Sequence, residues 1–169
     1  TDPLGHDIIN VNTPGLKDCP APFDPGAVID DNGTGWLSFG GGKSSAATTL
    51  FPGSARIVRL GKDLLSIDSE IKEIPAPYFF EASELNYING KWIYSYSTDW
   101  VNRDEWHIKD AMRPSICSIS YMVSTDPLNK DSWKFRGDIL HNAFDYGMSA
   151  SNNHTHFLKF KGKYYIFYH

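Results

Sequence analysis

The sequence predicts an all-β chain built of β-propeller blades, on three observations. Three pairs of apolar runs are each joined by a short turn that contains glycine. The second run of each pair is dense in aromatics. Helical periodicity is nearly absent. Asn-Gly between two strand-like runs is a strong hairpin signal, because both turn residues must take positive φ.

Taken in chain order, Ala27-Val-Ile29 leads through Asp-Asp-Asn-Gly33 to Trp36-Leu-Ser-Phe39. From Asp63 to Ile74 the apolar residues are irregularly spaced and Pro75 follows, so this stretch is expected to be a strand-rich loop with one helical turn. Glu84-Leu-Asn-Tyr-Ile88 leads through Asn89-Gly90 to Lys91-Trp-Ile-Tyr-Ser-Tyr96. In that second run Trp92, Tyr94 and Tyr96 share one face and Ile93 and Ser95 the other. Neither face suits water, so the strand is expected between sheets. Ser118-Ile-Ser-Tyr-Met-Val123 is a further strand of the same kind, and Thr155–Phe160 leads through Lys161-Gly162 to Lys163–Tyr168. Four such units in 169 residues give about 42 residues each, the size of a propeller blade. An immunoglobulin-like sandwich would need about seven evenly spaced strands, and the long irregular inserts fit that poorly.

Thr1-Asp-Pro-Leu4 recurs as Thr125-Asp-Pro-Leu128, and the later copy directly follows a strand. The two chain ends therefore read as complementary parts of one blade. Residues 1–169 are expected to form a single propeller-type domain, incomplete at both ends. It would be completed by closure on itself or by a neighbouring copy, since an open strand edge invites association.

Composition narrows the function. Lys and Arg number 16 against 20 Asp and Glu, a formal charge of −4, which leaves no basic surplus for a nucleic-acid partner. No apolar run approaches the roughly 20 residues of a membrane span, and no signal-like segment stands at the start. The compartment stays open. Cys19 and Cys117 are read as buried or free thiols rather than a disulfide framework. Asn32-Gly-Thr34 and Asn153-His-Thr155 match the glycosylation sequon, a pattern short enough to arise by chance. No Gly-x-Ser-x-Gly elbow occurs, and Phe39-Gly-Gly-Gly-Lys-Ser-Ser45 lacks the first glycine of a phosphate loop.

Two carboxylates stand out. Asp24 precedes the first hairpin in Pro-Phe-Asp-Pro25, and Glu81 the second in Tyr-Phe-Phe-Glu-Ala-Ser83. Taken singly, each has an ordinary reading: a turn cap before Pro25, and a partner for Lys or Arg. Their equivalent places in successive repeats would bring them to one channel. An acid held among aromatics resists ionisation, which suits a general acid, and a second carboxylate nearby is the arrangement used on glycosidic bonds.

These motifs resemble glycoside hydrolase family 43. Phe23-Asp-Pro through Asp-Asp-Asn-Gly33 to Phe39-Gly-Gly-Gly42 is similar to its second blade. Ala76-Pro-Tyr-Phe-Phe-Glu-Ala-Ser83 with Asn89-Gly-Lys-Trp-Ile-Tyr-Ser-Tyr-Ser97 is similar to its third. Asn152-Asn-His154 with Phe160-Lys-Gly-Lys-Tyr-Tyr-Ile-Phe-Tyr-His169 is similar to a later one. The likeness is strongest to arabinofuranosidase and β-xylosidase members. It implies a five-bladed propeller that hydrolyses xylose- or arabinose-containing hemicellulose glycans with inversion. Glu81 would be the general acid and Asp24 the carboxylate that tunes it. His154 would match the channel histidine that often helps hold a calcium ion through water. The family's general base lies on a first blade that this sequence lacks. Asp7, Asp99 and Asp145 are candidate replacements, and another protomer is a further source of the base.

Trp100, Trp106, Tyr78 and Arg113 are candidate sugar contacts, whereas Trp36 and Trp92 read as core. A serine-hydrolase reaction through Ser149 and His154 is a weaker option. His154 and His156 are expected on opposite strand faces, a poor pair of metal ligands. The competing function is a carbohydrate-binding propeller without catalysis.

Overall fold

The computed structural model describes residues 4–17, 19–41, 49–101 and 103–169. Ten strands form three antiparallel sheets among them. The first sheet is a meander of β1 (Gly26–Ile29), β2 (Gly35–Phe39), β3 (Arg56–Arg59) and β4 (Lys72–Glu73). The second repeats it with β5 (Phe79–Ile88), β6 (Lys91–Thr98), β7 (Ile119–Ser124) and β8 (Lys134–Leu140). The third is the hairpin of β9 (Thr155–Phe160) and β10 (Lys163–Tyr168).

The all-β, blade-built architecture is as expected. The partition differs in one respect. Ser118–Val123 does not start a unit of its own, because β7 pairs with β6 on one side and β8 on the other. The described residues thus form two four-stranded blades and one hairpin. The stretch from Asp63 holds no helix; Ile67 bridges back to Leu60, and Lys72–Glu73 forms the short outer strand. The closing strand expected at Thr1-Asp-Pro3 lies outside the described residues. No helix among the described residues is long and apolar enough to cross a membrane.

The aromatic strand β6 sits between sheets, as its pattern requires. Toward the first blade, Trp92 meets Trp36 at 4.8 Å, beside the buried Tyr94 and Tyr96. Both tyrosine hydroxyls are satisfied, Tyr94 with Ser83 Oγ at 2.8 Å and Tyr96 on the Pro77 carbonyl at 2.9 Å, so their burial costs little. Toward the hairpin, Ser95 meets Thr155 at 3.3 Å. A second core of Leu16, Cys19, Phe39, Val58 and Ile71 covers the other face of the first blade. Cys19 and Cys117 are buried and free.

Gly26 sets the spacing between blades. A Cβ there would lie 2.5 Å from the Ser83 carbonyl oxygen and 2.9 Å from Glu84 Cα. Only glycine lets the first strands of the two blades approach this closely.

Candidate active site

The three leading strands run side by side in one sense. Asp24 stands against Ala82, His154 against Glu81 and His156 against Glu84. Their starts gather the candidate residues at one end of the blades, opposite the glycine turns.

Asp24 precedes β1 with a left-handed φ of 50°. Its Oδ2 accepts a hydrogen bond from the Ala82 N–H at 3.1 Å, across 58 residues of sequence. Glu81 lies where the β5–β6 register shifts on both sides, and Ala82 has φ 61°. Such bulges re-aim a side chain. Here Glu81 is turned inward, with only 14% of its side chain exposed. Burial pushes its carboxyl above the usual range, the Asp24 charge pushes it the same way, and His154 opposes both. His154 Nε2 is 3.8 Å from Glu81 Oε1, and its ring stacks on His169 at 5.3 Å.

His154 and His156 share a face, which corrects the sequence expectation. Strand residues two apart point the same way, and both histidines meet a glutamate of β5, His156 Nδ1 lying 3.0 Å from Glu84 Oε1. Among the described residues no three His, Cys, Asp or Glu side chains form a group that could hold a metal ion. Calcium held at His154 through water, as the resemblance implies, needs no such cluster, and His154 itself faces Glu81.

The candidate sugar contacts divide. Tyr78 is 1% exposed, its hydroxyl donates to the Glu105 carbonyl, and Arg103 covers its ring at 4.3 Å. A sugar cannot reach it, and it anchors the 99–118 loop instead. Trp106 packs on Phe135 at 5.4 Å and donates from Nε1 to the Ala111 carbonyl at 3.2 Å, so its ring serves packing on the outer strand β8. Trp100 is 40% exposed just beyond β6. Arg113 is exposed and donates to the Arg103 carbonyl at 2.6 Å. Of the candidate bases, Asp99 is ion-paired with Arg103, Asp145 lies 3.3 Å from His141, and Asp7 is exposed.

Sequence reasoning missed the clamp that places His154. Asn153 is buried; its Oδ1 accepts from Ser97 Oγ at 2.7 Å and its Nδ2 donates to the Cys117 carbonyl at 2.8 Å. Ser97 is the strand partner of Glu81. The clamp thus ties the lead-in of β9 to the strand beside Glu81. It also occupies the Asn153 amide, so the second sequon offers no free acceptor. The string Asn152-Asn-His154 was the available signal.

No family model matches the chain. An arabinoxylan arabinofuranohydrolase of Paenibacillus polymyxa is 35% identical over 172 residues, covering 100% of this chain and 26% of that protein. The crystal structure of a family 43 arabinoxylan arabinofuranohydrolase from Bacillus subtilis, in complex with cellotetraose, superposes with a TM-score of 0.85 at 32% identity. It covers 99% of this chain and 34% of its own. An α-L-arabinofuranosidase from Clostridium thermocellum gives 0.73 at 29% identity, with 97% and 47% covered. The chain thus spans about a quarter to a third of the length of the curated relatives it matches. Over its whole length the chain is thus similar to a part of the family 43 arabinoxylan arabinofuranohydrolases, and the resemblance extends to the order of two blades and a hairpin.

Proposed function

We propose that this chain carries the general-acid side of an inverting glycoside hydrolase acting on xylose- or arabinose-containing hemicellulose glycans. The observation that carries the reading is the convergence of Asp24, Glu81 and His154 from three separate leading strands. Glu81 is the general acid. It gives its proton to the glycosidic oxygen as the bond to the anomeric carbon breaks, and is left as a carboxylate. Asp24 holds the proton on Glu81 until then, and the Ala82 N–H holds Asp24. Exposed Trp100 and Arg113 contact the sugar.

Inversion also needs a carboxylate to activate water, roughly 6.5–9.5 Å from the acid. Asp99 and Asp145 are engaged elsewhere. The reading takes the base from outside the described residues, on a further blade or on a second copy of the chain. β10 supports association: among the described residues it pairs only with β9, and Tyr164, Tyr165, Ile166, Phe167 and Tyr168 are exposed along it.

The test is release of arabinose or xylose from nitrophenyl glycosides and arabinoxylan by the wild type and Glu81→Gln. Loss of about 10²–10⁴-fold in rate on the polymer is expected for a general acid. Equal rates end the assignment. No rate in either protein, with oligosaccharide binding retained, supports the non-catalytic carbohydrate-binding propeller.

A further inference from the structure

The loop that leaves β6 and returns to β7 carries Trp100 and Arg113, the two exposed residues read as sugar contacts. Acid catalysis does not explain the charge buried at the base of this loop. Arg103 is 6% exposed. Its Nη2 donates to the Asp99 carbonyl at 2.7 Å and to the Ser115 carbonyl at 3.1 Å. Its Nη1 donates to the Asp99 carboxylate, and to the Val101 carbonyl at 2.5 Å. The Tyr78 ring lies 4.3 Å from Cζ, and the Tyr78 carbonyl accepts from the Asp99 N–H at 2.9 Å. Arg103 Nε is buried without a hydrogen-bond partner among the described residues. A cation left partly unsatisfied is costly to keep out of water, and apolar packing could hold a loop base without one.

The contacts of Arg103 fall beside both sugar contacts. Asp99 directly precedes Trp100. Ser115 stands two residues after Arg113 and is held from both sides: its N–H donates to Asp138 Oδ2 at 2.8 Å, and its carbonyl accepts from Arg103. The Arg103 carbonyl itself accepts from Arg113 Nη1 at 2.6 Å. That is the one hydrogen bond of the Arg113 side chain among the described residues, so the rest of its guanidinium is open to a ligand. Tyr78, under the Arg103 guanidinium, directly precedes β5, the strand of Glu81.

We propose that Arg103 is a positioning residue for glycan binding, which fixes Trp100 and Arg113 relative to each other and to the strand of Glu81. The inference rests on the reading of Trp100 and Arg113 as sugar contacts and adds the residue that sets their geometry. The task needs a planar fork that spans the Asp99 carboxylate and the backbone carbonyls on both sides of the loop. A lysine ammonium is a single point charge and does not reproduce that span. Side chains held in place beforehand lose less freedom when the glycan arrives.

Protein labelled with ¹⁵N on the tryptophan indoles is titrated with xylotetraose. The Trp100 indole signal, assigned by its loss in Trp100→Phe, is expected to move saturably in the wild type. Arg103→Lys should weaken binding by about tenfold and displace the Trp100 signal of the free protein. The signals of Trp36 and Trp133, whose indoles donate to Asp30 and to the Pro127 carbonyl, should stay in place and report an intact core. Removing both charges separates positioning from support. Burial pushes the Asp99 carboxyl above its usual range and the Arg103 charge opposes it, so Arg103→Met alone strands an acid in the fold. Asp99→Asn/Arg103→Met takes the pair out together, a change that often leaves stability equal or higher. The double variant is expected to melt near the wild type and to bind as weakly as Arg103→Lys. Wild-type affinity in Arg103→Lys or in the double variant overturns the inference and leaves the sugar contacts standing. A wild-type Trp100 signal that xylotetraose does not move overturns the sugar contacts themselves, and the inference with them.

Discussion

Glu81 keeps its proton first through burial and second through the charge of Asp24, and the two causes separate by substitution. In the unfolded chain the carboxyl ionises near its ordinary value of 4.5; in the fold it ionises at higher pH. Between those two points the folded state binds more protons than the unfolded state, so this residue's contribution to stability falls as pH rises through that window. Glu81→Gln should therefore melt higher than the wild type at pH 7, with the gap closing below pH 4.5. Thermal melts across that range check it, and a gap that persists unchanged at pH 3 would contradict it. His154→Ala should move Glu81 further upward, because the opposing positive charge is removed. The positions of Asp24 and Glu81 in successive repeats, each following a phenylalanine, are the sequence signal that singles them out. Tyr78 and Trp106 were not assigned correctly. An aromatic beside a site has the same sequence signature whether it packs or binds, and only burial under Arg103 and contact with Phe135 decide.

Among the elements, the hairpins were the most legible. Asp-Asp-Asn-Gly33, Asn89-Gly90 and Lys161-Gly162 each join the two strands expected of them. The outer strands were hidden. β4 is two residues long and β8 is Lys134-Phe-Arg-Gly-Asp-Ile-Leu140, with a glycine and with Lys134 and Arg136 exposed, so neither shows the apolar density of an inner strand. Gly26 is the element-scale determinant of the site, because the backbone of β5 fills the space a side chain would need. Gly26→Ala should force β1 from β5, at a cost of about 1–3 kcal/mol. Because the Asp24–Ala82 bond lies at the same contact, Glu81 should titrate lower in that variant. Chemical denaturation measures the first effect and pH titration the second. Trp92→Ala, at the centre of the blade-to-blade core, should cost about 3–5 kcal/mol.

At the scale of the whole molecule, two blades and a hairpin suffice to bring three leading strands together, and the meeting of those strands makes the candidate site. The repeat of blades was legible because strand patterning recurs. The convergence was not, because 58 residues separate Asp24 from Ala82 and 73 separate Glu81 from His154. The exposed edge and apolar side chains of β10 predict self-association that rises with concentration, which light scattering after size-exclusion chromatography would show; a strict 19.0 kDa monomer at high concentration would count against it. The most direct test of the account is a ¹³C titration of the Glu81 side-chain carboxyl in the wild type and in Asp24→Asn. A midpoint above the ordinary glutamate range, falling when Asp24 is neutralised, is the predicted result. An ordinary midpoint that does not respond to Asp24→Asn would contradict it.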